Sequence, residues 1–253
     1  MFPKKNELVS AYVIHTRPFQ DNKILIDLLT TEYGLVRAVW RLPKKEARVV
    51  PASFLPYEVL LKGKKELKSL HLLESTYGRV ELTGLKLFTG IYAHELLLKL
   101  LPMNLPIASF FEIYEWLITS LQADVPIAPL LRRFEYALFD EIGSTINFNT
   151  TTVGAPLESD VLYGFDAQFG LRPYSLDAVK SVARRPLLLV EGRLAMQYAQ
   201  GQWSNGAVLR LAKELHRHWL NHLLDGKEIE ARKLLPTYSY DGERHFDIPV
   251  FRT

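Results

Sequence analysis

The chain has 253 residues, 31 Lys+Arg against 28 Asp+Glu and no cysteine, with 48% hydrophobic and 23% charged residues. This is the composition of a packed globule rather than a disordered chain, and the length suits one large or two smaller domains. The lack of cysteine excludes disulfides, iron–sulfur clusters, thiolate zinc sites and a cysteine nucleophile, and it fits a reducing compartment, the cytoplasm.

The first residues, Met1 to Leu8, carry two lysines with no apolar run behind them, so no export signal is expected. The longest apolar clusters, such as Leu96–Leu98 and Leu187–Val190, fall far short of the roughly 18 residues that cross a bilayer, so no membrane association is expected. Residues 1–80 hold 14 Lys+Arg and 8 Asp+Glu, whereas residues 81–253 hold 17 and 20. The positive field therefore belongs to the first third, which points to a nucleic-acid-facing module joined to a part with other work.

Up to about residue 80 the apolar residues come in short β-rich runs: Ala11–Ile14, Ile24–Ile26, Leu35–Trp40, Val59–Leu61 and Leu67–Leu73. Turn chemistry separates them at Arg17-Pro18, Tyr33-Gly34, Leu42-Pro43 and Lys62-Gly63-Lys64. Five short strands of this spacing predict a small OB-like or SH3-like barrel.

Beyond residue 80 the period becomes helical. Leu85–Leu101 is apolar on more than one side, which predicts a central buried helix ended by Pro102. Phe110, Phe111, Tyr114, Leu117, Ile118 and Leu121 line one face of the next helix. A third helix, about Ala128–Ile142, turns Leu130, Leu131, Phe134, Leu138 and Ile142 inward and stops at Gly143; three helices in series predict a bundle. A polar stretch, Asn147–Asp160, breaks the period, and Gly164–Pro173 reads as a loop or short hairpin before helices resume. The last long helix, about Asn205–Leu224, aligns Val208, Leu211, Ala212, Leu215, Trp219 and Leu223, and a short one follows at about Lys227–Leu235. The fold class expected is α+β, an N-terminal five-stranded barrel (1–80) followed by an all-helical domain (81–253).

Catalytic signatures fail one by one. Gly226-Lys227 is followed by Glu228 and lacks the upstream glycine of a P-loop, and no G-x-G-x-x-G follows a strand. The His94-Glu95 pair lacks the second histidine of a zinc protease, because position 98 is leucine. His218 and His222 stand four apart on a helix but have no third ligand in view. A metal-dependent enzyme built on that pair is kept as a lesser reading. Asp27 lies within an apolar strand, where an unpaired carboxylate is costly to bury; an edge position or a hydrogen-bonded partner is the alternative.

The cations of the barrel segment are denser. Arg37, Arg41, Lys44, Lys45 and Arg48 lie on the third strand and the loop after it, and Lys62, Lys64, Lys65 and Lys68 in the next hairpin. Loops of this kind displace counterions from a phosphate backbone without reading its sequence; a merely solvated surface is the alternative. Strand alternation sets Trp40 on the face of Val36 and Ala38, opposite Arg37 and Arg41, which predicts core packing rather than base stacking. Phe54 and Tyr57 are open on this point.

The segments Ala11–Phe19 (AYVIHTRPF) and Leu28–Val36 (LLTTEYGLV) resemble the opening strands of the bacterial DNA-repair and recombination mediator family RecO. Further similarity runs through Leu55-Pro56-Tyr57, Leu70–Glu74, Tyr92–Leu97 and Leu131–Glu135 with Gly143, so that it covers nearly the whole chain. The resemblance implies an N-terminal OB-fold and a helical domain without enzymatic activity or cofactor. It implies binding of single- and double-stranded DNA and annealing of complementary strands. It also implies action with RecR, helping RecA replace single-strand-binding protein on DNA, with RecF a further associate, in the cytoplasm at the nucleoid. Arg41 and Lys44 match basic positions of the family, and with Arg37 they are the first candidates for phosphate contacts. The family binds the acidic, aromatic-ended tail of single-strand-binding protein on its helical domain, for which Arg132 or Arg133 is the candidate rim cation; solvated residues, or partners of Glu135 and Glu141, are the other reading. The chain departs from the family in three places. Many members carry four zinc-binding cysteines where Phe148–Leu171 has none, so no metal is expected there; Leu42-Pro43 replaces small residues; and Glu230 stands where a lysine is common. A protein-interaction scaffold, with a barrel that binds protein rather than DNA, is the alternative function.

Overall fold

The structure is a computed structural model that describes residues 8–42, 50–63, 66–75, 80–145, 147–174 and 188–235. The first five elements are strands: β1 (Val9–Pro18), β2 (Lys23–Thr30), β3 (Gly34–Arg41), β4 (Pro56–Lys62) and β5 (Leu67–Ser75). Each extends past the apolar run that predicted it, because the backbone ladder continues through polar flanks such as Lys23 and Thr30. Arg17-Pro18 is not a turn. Both residues still pair with β2, and the reversal falls at residues 19–22, closed by the Phe19 N–H donating to the Lys23 carbonyl at 2.9 Å.

The strands close a barrel in the order β1-β2-β3-β5-β4, with β3 parallel to β5 and the other pairs antiparallel. This is the five-stranded OB arrangement. Alternation turns Val9, Ala11, Val13, Ile26, Leu28, Val36, Ala38, Val59 and Leu70 into the core, with Tyr57 among them. The outer face of β1 is buried as well. Tyr12 packs against Phe111 and Tyr114, with ring centroids 5.5 and 5.0 Å away.

Both rings belong to the second of two helices that pack beside the barrel strands. Helix α1 (Gly84–Leu100) is buried on several sides, as its sequence predicted, and ends with Leu101 extended before Pro102. Helix α2 (Ala108–Gln122) buries the six residues predicted for its inner face. Between them the chain touches β3: the Asn104 N–H donates to the Leu35 carbonyl at 2.8 Å. The approach is so close that a Cβ on Gly34 would stand 1.8 Å from the Leu105 carbonyl oxygen, and Gly34 also has φ +66. Only glycine satisfies both conditions.

The compact units do not follow the change of pattern at residue 80. One runs to Val125 and takes in Ile229–Leu235, so α1 and α2 belong with the barrel rather than to a bundle with the third helix; the other is Pro126–Glu228. In this second unit α3 (Ile127–Glu141) ends as expected at Gly143, where Gly143 N–H reaches Asp140 O and Ser144 N–H reaches Phe139 O. The stretch read as a loop or hairpin is a hairpin, β6 (Leu162–Asp166) and β7 (Gly170–Pro173). A third strand, β8 (Leu188–Glu191), completes a sheet of order β7-β6-β8. The sequence did not reveal β8, because a four-residue apolar run has no period that separates strand from helix. Helices α4 (Gly192–Ala199) and α5 (Gly206–Leu223) follow, the latter capped by the Asn205 side chain, which accepts from Ala207 and Val208 N–H. The expected short helix at Lys227–Leu235 is a 3₁₀ segment, Glu230–Leu234, in the first unit.

Candidate nucleic-acid interface

OB barrels take oligonucleotides on the outer face of strands 2 and 3 and in the loops between strands 1 and 2 and between strands 4 and 5. On β3 the outward positions are Arg37, Val39 and Arg41, set directly across from Asp27, Leu25 and Lys23 of β2. Lys23 and Arg41 are therefore cross-strand neighbours beside the first of those loops. On the other side of β3, Ser69 of β5 lies level with Val39 and with Lys62 of β4. Lys23, Arg41 and Lys62 thus share one outward surface with Ser69 and the exposed Leu67.

Lys23 was missed in the sequence because it stands apart from the cationic runs; the signal that finds it is its place on β2, one strand across from Arg41. Lys44, Lys45, Arg48, Lys64 and Lys65 lie outside the described residues. Lys68 is placed differently from its neighbours in sequence. It occupies the inward parity of β5, opposite Ala38, with its ammonium 5.7 Å above the Tyr33 ring and 3.3 Å from the Gly63 carbonyl it donates to.

Arg37 is held in place. Its Nε and Nη2 donate to the two carboxylate oxygens of Asp27 at 2.6 and 3.0 Å, and that bidentate bond is the largest of the causes that raise the guanidinium pKa, against the opposing effect of burial. The buried carboxylate in the apolar strand is thus a hydrogen-bonded partner. A phosphate reaching Arg37 would compete with Asp27. Arg37→Ala is expected to lower stability by about 2–3 kcal/mol by stranding the Asp27 charge, whereas Arg41→Ala leaves stability within about 0.5 kcal/mol; urea titration of the two variants checks this.

The open aromatic positions resolve to structure. Phe54 is buried, stacks on His94 at 4.6 Å and lies where a Cβ on Gly90 would meet its ring. Tyr57 is in the barrel core and donates to the Ala52 carbonyl at 3.2 Å. Trp40 is half-buried against the same core, as alternation predicted.

The two residues that suggested a zinc protease have separate duties. The His94 ring accepts from the Tyr114 hydroxyl at 2.6 Å and donates to the Ile14 carbonyl. Ile14 is the extra residue of a bulge in β1, where register shifts between Val13 and His15, so its carbonyl falls outside the regular ladder. Burial raises the Glu95 pKa, but hydrogen bonds from the Ala231 and Glu230 N–H groups and from Lys99 outweigh it, and the net shift is downward. His218 Nδ1 lies 2.9 Å from the Glu214 carbonyl oxygen. Among the described residues, no group of three or more His, Asp or Glu is placed to hold a metal ion.

In the second unit Arg132 donates to Glu135 at 2.6 Å. The same carboxylate oxygen accepts from His216 Nδ1 at 2.7 Å, and His216 Nε2 lies 2.8 Å from the Tyr198 hydroxyl. Glu135 and His216 are fully buried. Burial, the largest cause, lowers the His216 pKa despite the carboxylate, so the ring is neutral, donates to Glu135 and accepts from Tyr198. Arg132 therefore supplies the charge that balances Glu135. Arg133 is half-buried, and desolvation lowers its pKa.

Residues 6–79 match the family model described as the recombination protein O N-terminal region. Proteins named DNA repair protein RecO are similar over most of their length. That of Cellvibrio japonicus is 33% identical over 232 residues, covering 90% of this chain and 96% of its own. That of Pseudomonas entomophila is 34% identical over 224 residues, covering 88% and 95%, and that of Laribacter hongkongensis 33% over 237 residues, covering 92% and 95%.

Proposed function

Because the chain belongs to the RecO family of DNA repair proteins, we propose that it is a recombination mediator that binds single- and double-stranded DNA through its barrel and anneals complementary strands. The observation that carries this reading is the outward surface on which Lys23 and Arg41 face each other across β2 and β3, with Lys62 on the same side. Those cations neutralise phosphates, so two strands can approach without mutual repulsion and pair by their own bases. Lys44, Lys45, Arg48, Lys64 and Lys65 add to the same field through their sequence positions after β3 and between β4 and β5, and Lys68 and Arg37 contribute charge from held positions. No bond is made or broken, and the protein acts as a binder rather than an enzyme, in the cytoplasm.

With RecR as partner, and RecF and RecA as further participants, the protein would help RecA replace single-strand-binding protein. The tail of that protein docks on the second unit, with Arg132 or Arg133 as rim cation; at Arg132 a tail carboxylate would compete with Glu135. Affinity of a labelled tail peptide for Arg132→Ala and Arg133→Ala tests the two assignments, and an unchanged affinity removes the residue concerned.

The DNA surface is tested by Arg41→Glu with Lys62→Glu. Binding to a single-stranded oligonucleotide should weaken about tenfold or more at low salt, and its log–log salt slope should become shallower by about 1.4, at about 0.7 per phosphate contact on a single strand. Unaltered affinity and slope in a folded variant would take this face out of the binding site. Absence of any salt-dependent DNA binding in the unaltered protein would favour the protein-binding scaffold.

A further inference from the structure

An aromatic ring stands beside the Lys23 and Arg41 pair. Arg17 is level with Leu25 of β2 and Pro18 with Ile24, so the same register sets Phe19 level with Lys23, and the bond from the Phe19 N–H to the Lys23 carbonyl closes that pair. Residues directly across a ladder share a face. Phe19, Lys23 and Arg41 therefore form one row on the outward surface, with the exposed Arg17 beside Phe19 on the same side of β1. Phe19 itself is only half-buried.

The bulge in β1 produces this arrangement. Ahead of it Val13 faces Leu28, and beyond it His15 faces Asp27, one residue out of step. In an unbroken ladder Arg17 would face Ile24, which is buried, and both Arg17 and Phe19 would turn to the side of the barrel interior. Bulges re-aim side chains in this way beside binding sites. The His94 ring, which donates to the Ile14 carbonyl, holds the bulge in place. The turn is fastened at two further points: the Lys23 ammonium donates to the Gln20 side-chain oxygen at 2.8 Å, and the Leu42 N–H to the Asn22 carbonyl at 3.0 Å. The position of the ring is thus set before any ligand arrives.

The outward positions of β2 from Lys23 to Asp27 and of β3 from Arg37 to Arg41 are aliphatic or charged, so these strands meet phosphates and offer no ring. Phe19 adds what they lack, because any base can lie flat on an aromatic face. Neighbouring strands stand about 4.8 Å apart, so the three residues of the row fall within about 10 Å. One nucleotide can lay its base on Phe19 while its phosphates meet Lys23 and Arg41. In a duplex the bases are already stacked on one another, and the ring gains nothing. We infer that Phe19 is a base-stacking platform that makes this surface favour single-stranded over double-stranded DNA. The inference rests on the DNA-binding reading above and adds to it the residue that separates the two forms of DNA.

The experiment measures binding of the full chain and its Phe19→Ala, Phe19→Leu and Phe19→Trp variants to three labelled ligands: oligo(dT), a duplex, and an abasic oligomer with the same number of phosphates as the oligo(dT). Phe19→Ala and Phe19→Leu should each weaken oligo(dT) binding about tenfold, and Phe19→Trp should keep it. Binding of the duplex and the abasic oligomer should stay within about twofold in all variants, and the salt slope should be unchanged, because the phosphate contacts remain. Retained duplex binding also shows that the variants are folded. Unchanged oligo(dT) affinity in Phe19→Ala overturns the proposal, and so does full affinity in Phe19→Leu, which would assign the effect to apolar bulk. An equal loss on all three ligands overturns it as well, since the ring would then only shape the turn. In each of these cases salt-dependent DNA binding by the unaltered protein survives; its absence would instead remove the DNA-binding reading and this proposal with it.

Discussion

Replacing Glu135 by alanine is expected to destabilise the second unit by about 3–5 kcal/mol, the range for breaking a buried charged pair from one side. The carboxylate is fully buried, and one of its oxygens takes both the Arg132 guanidinium at 2.6 Å and the His216 Nδ1–H at 2.7 Å. Alanine strands a guanidinium that is only 14% exposed and a buried ring N–H in a core of aromatic rings, among them Phe139 and Trp219 stacked at 5.0 Å. Glutamine is expected to be milder, since its carbonyl still accepts from His216 although the charge facing Arg132 is gone. A double-mutant cycle separates the pair from its surroundings. Arg132→Ala and Glu135→Ala together should cost less than the sum of the two by about 1–3 kcal/mol. Urea unfolding followed by near-ultraviolet dichroism reads this. Strict additivity would mean that Arg132 is not held by Glu135 in solution, and would strengthen its claim to a partner's carboxylate.

Acid is expected to weaken the first unit through His94. Burial lowers its pKa from 6.5 to about 3, assisted by nearby His15 and opposed by the bond to the Ile14 carbonyl. The folded value lies below the unfolded one, so the unfolded chain takes up the proton first as pH falls. The contribution is whole above about pH 6.5 and is lost progressively toward pH 3, at about 1.4 kcal/mol per pH unit, or about 2 kcal/mol by pH 5. His216 acts with the same sign in the second unit, because its pKa is also lowered by burial. Unfolding free energies at pH 7.5, 6 and 5 should show the decline, and His94→Gln, less stable at neutral pH for want of its ring contacts, should show a flatter one. Parallel declines in the two proteins would assign the titration to another group.

The buried histidines show where sequence reading stops. Hydrophobic period located all five barrel strands, although not their ends or the first turn, and the inner face of α2 residue by residue, because a strand's alternation and a helix's stripe are local properties. Alternation also placed Trp40 correctly. Neither rule says what a polar residue on an apolar face will meet. His94 meets Tyr114 and a bulged carbonyl, Glu135 meets His216 from a helix 81 residues away in sequence, and Asp27 meets Arg37 across a ladder. Of the cations picked from density alone, Arg41 and Lys62 share a surface, whereas Arg37 and Lys68 are tied to neighbours.

The sequence by itself determined the barrel, the four long helices α1, α2, α3 and α5 and the basic bias of the first 80 residues, since each follows from residue type and spacing along a short stretch; it did not foresee α4 or the three-stranded sheet in a part expected to be all-helical. The tertiary structure alone decided which cations stand together, because strand register sets Lys23 beside Arg41 and turns Lys68 inward. It alone decided the grouping of α1 and α2 with the barrel, because helices join whichever apolar surface they cover, and the outer face of β1, with Tyr12 upon it, is such a surface. And it alone revealed β8, a strand too short for any period, whose identity comes from the hydrogen bonds that β6 offers it.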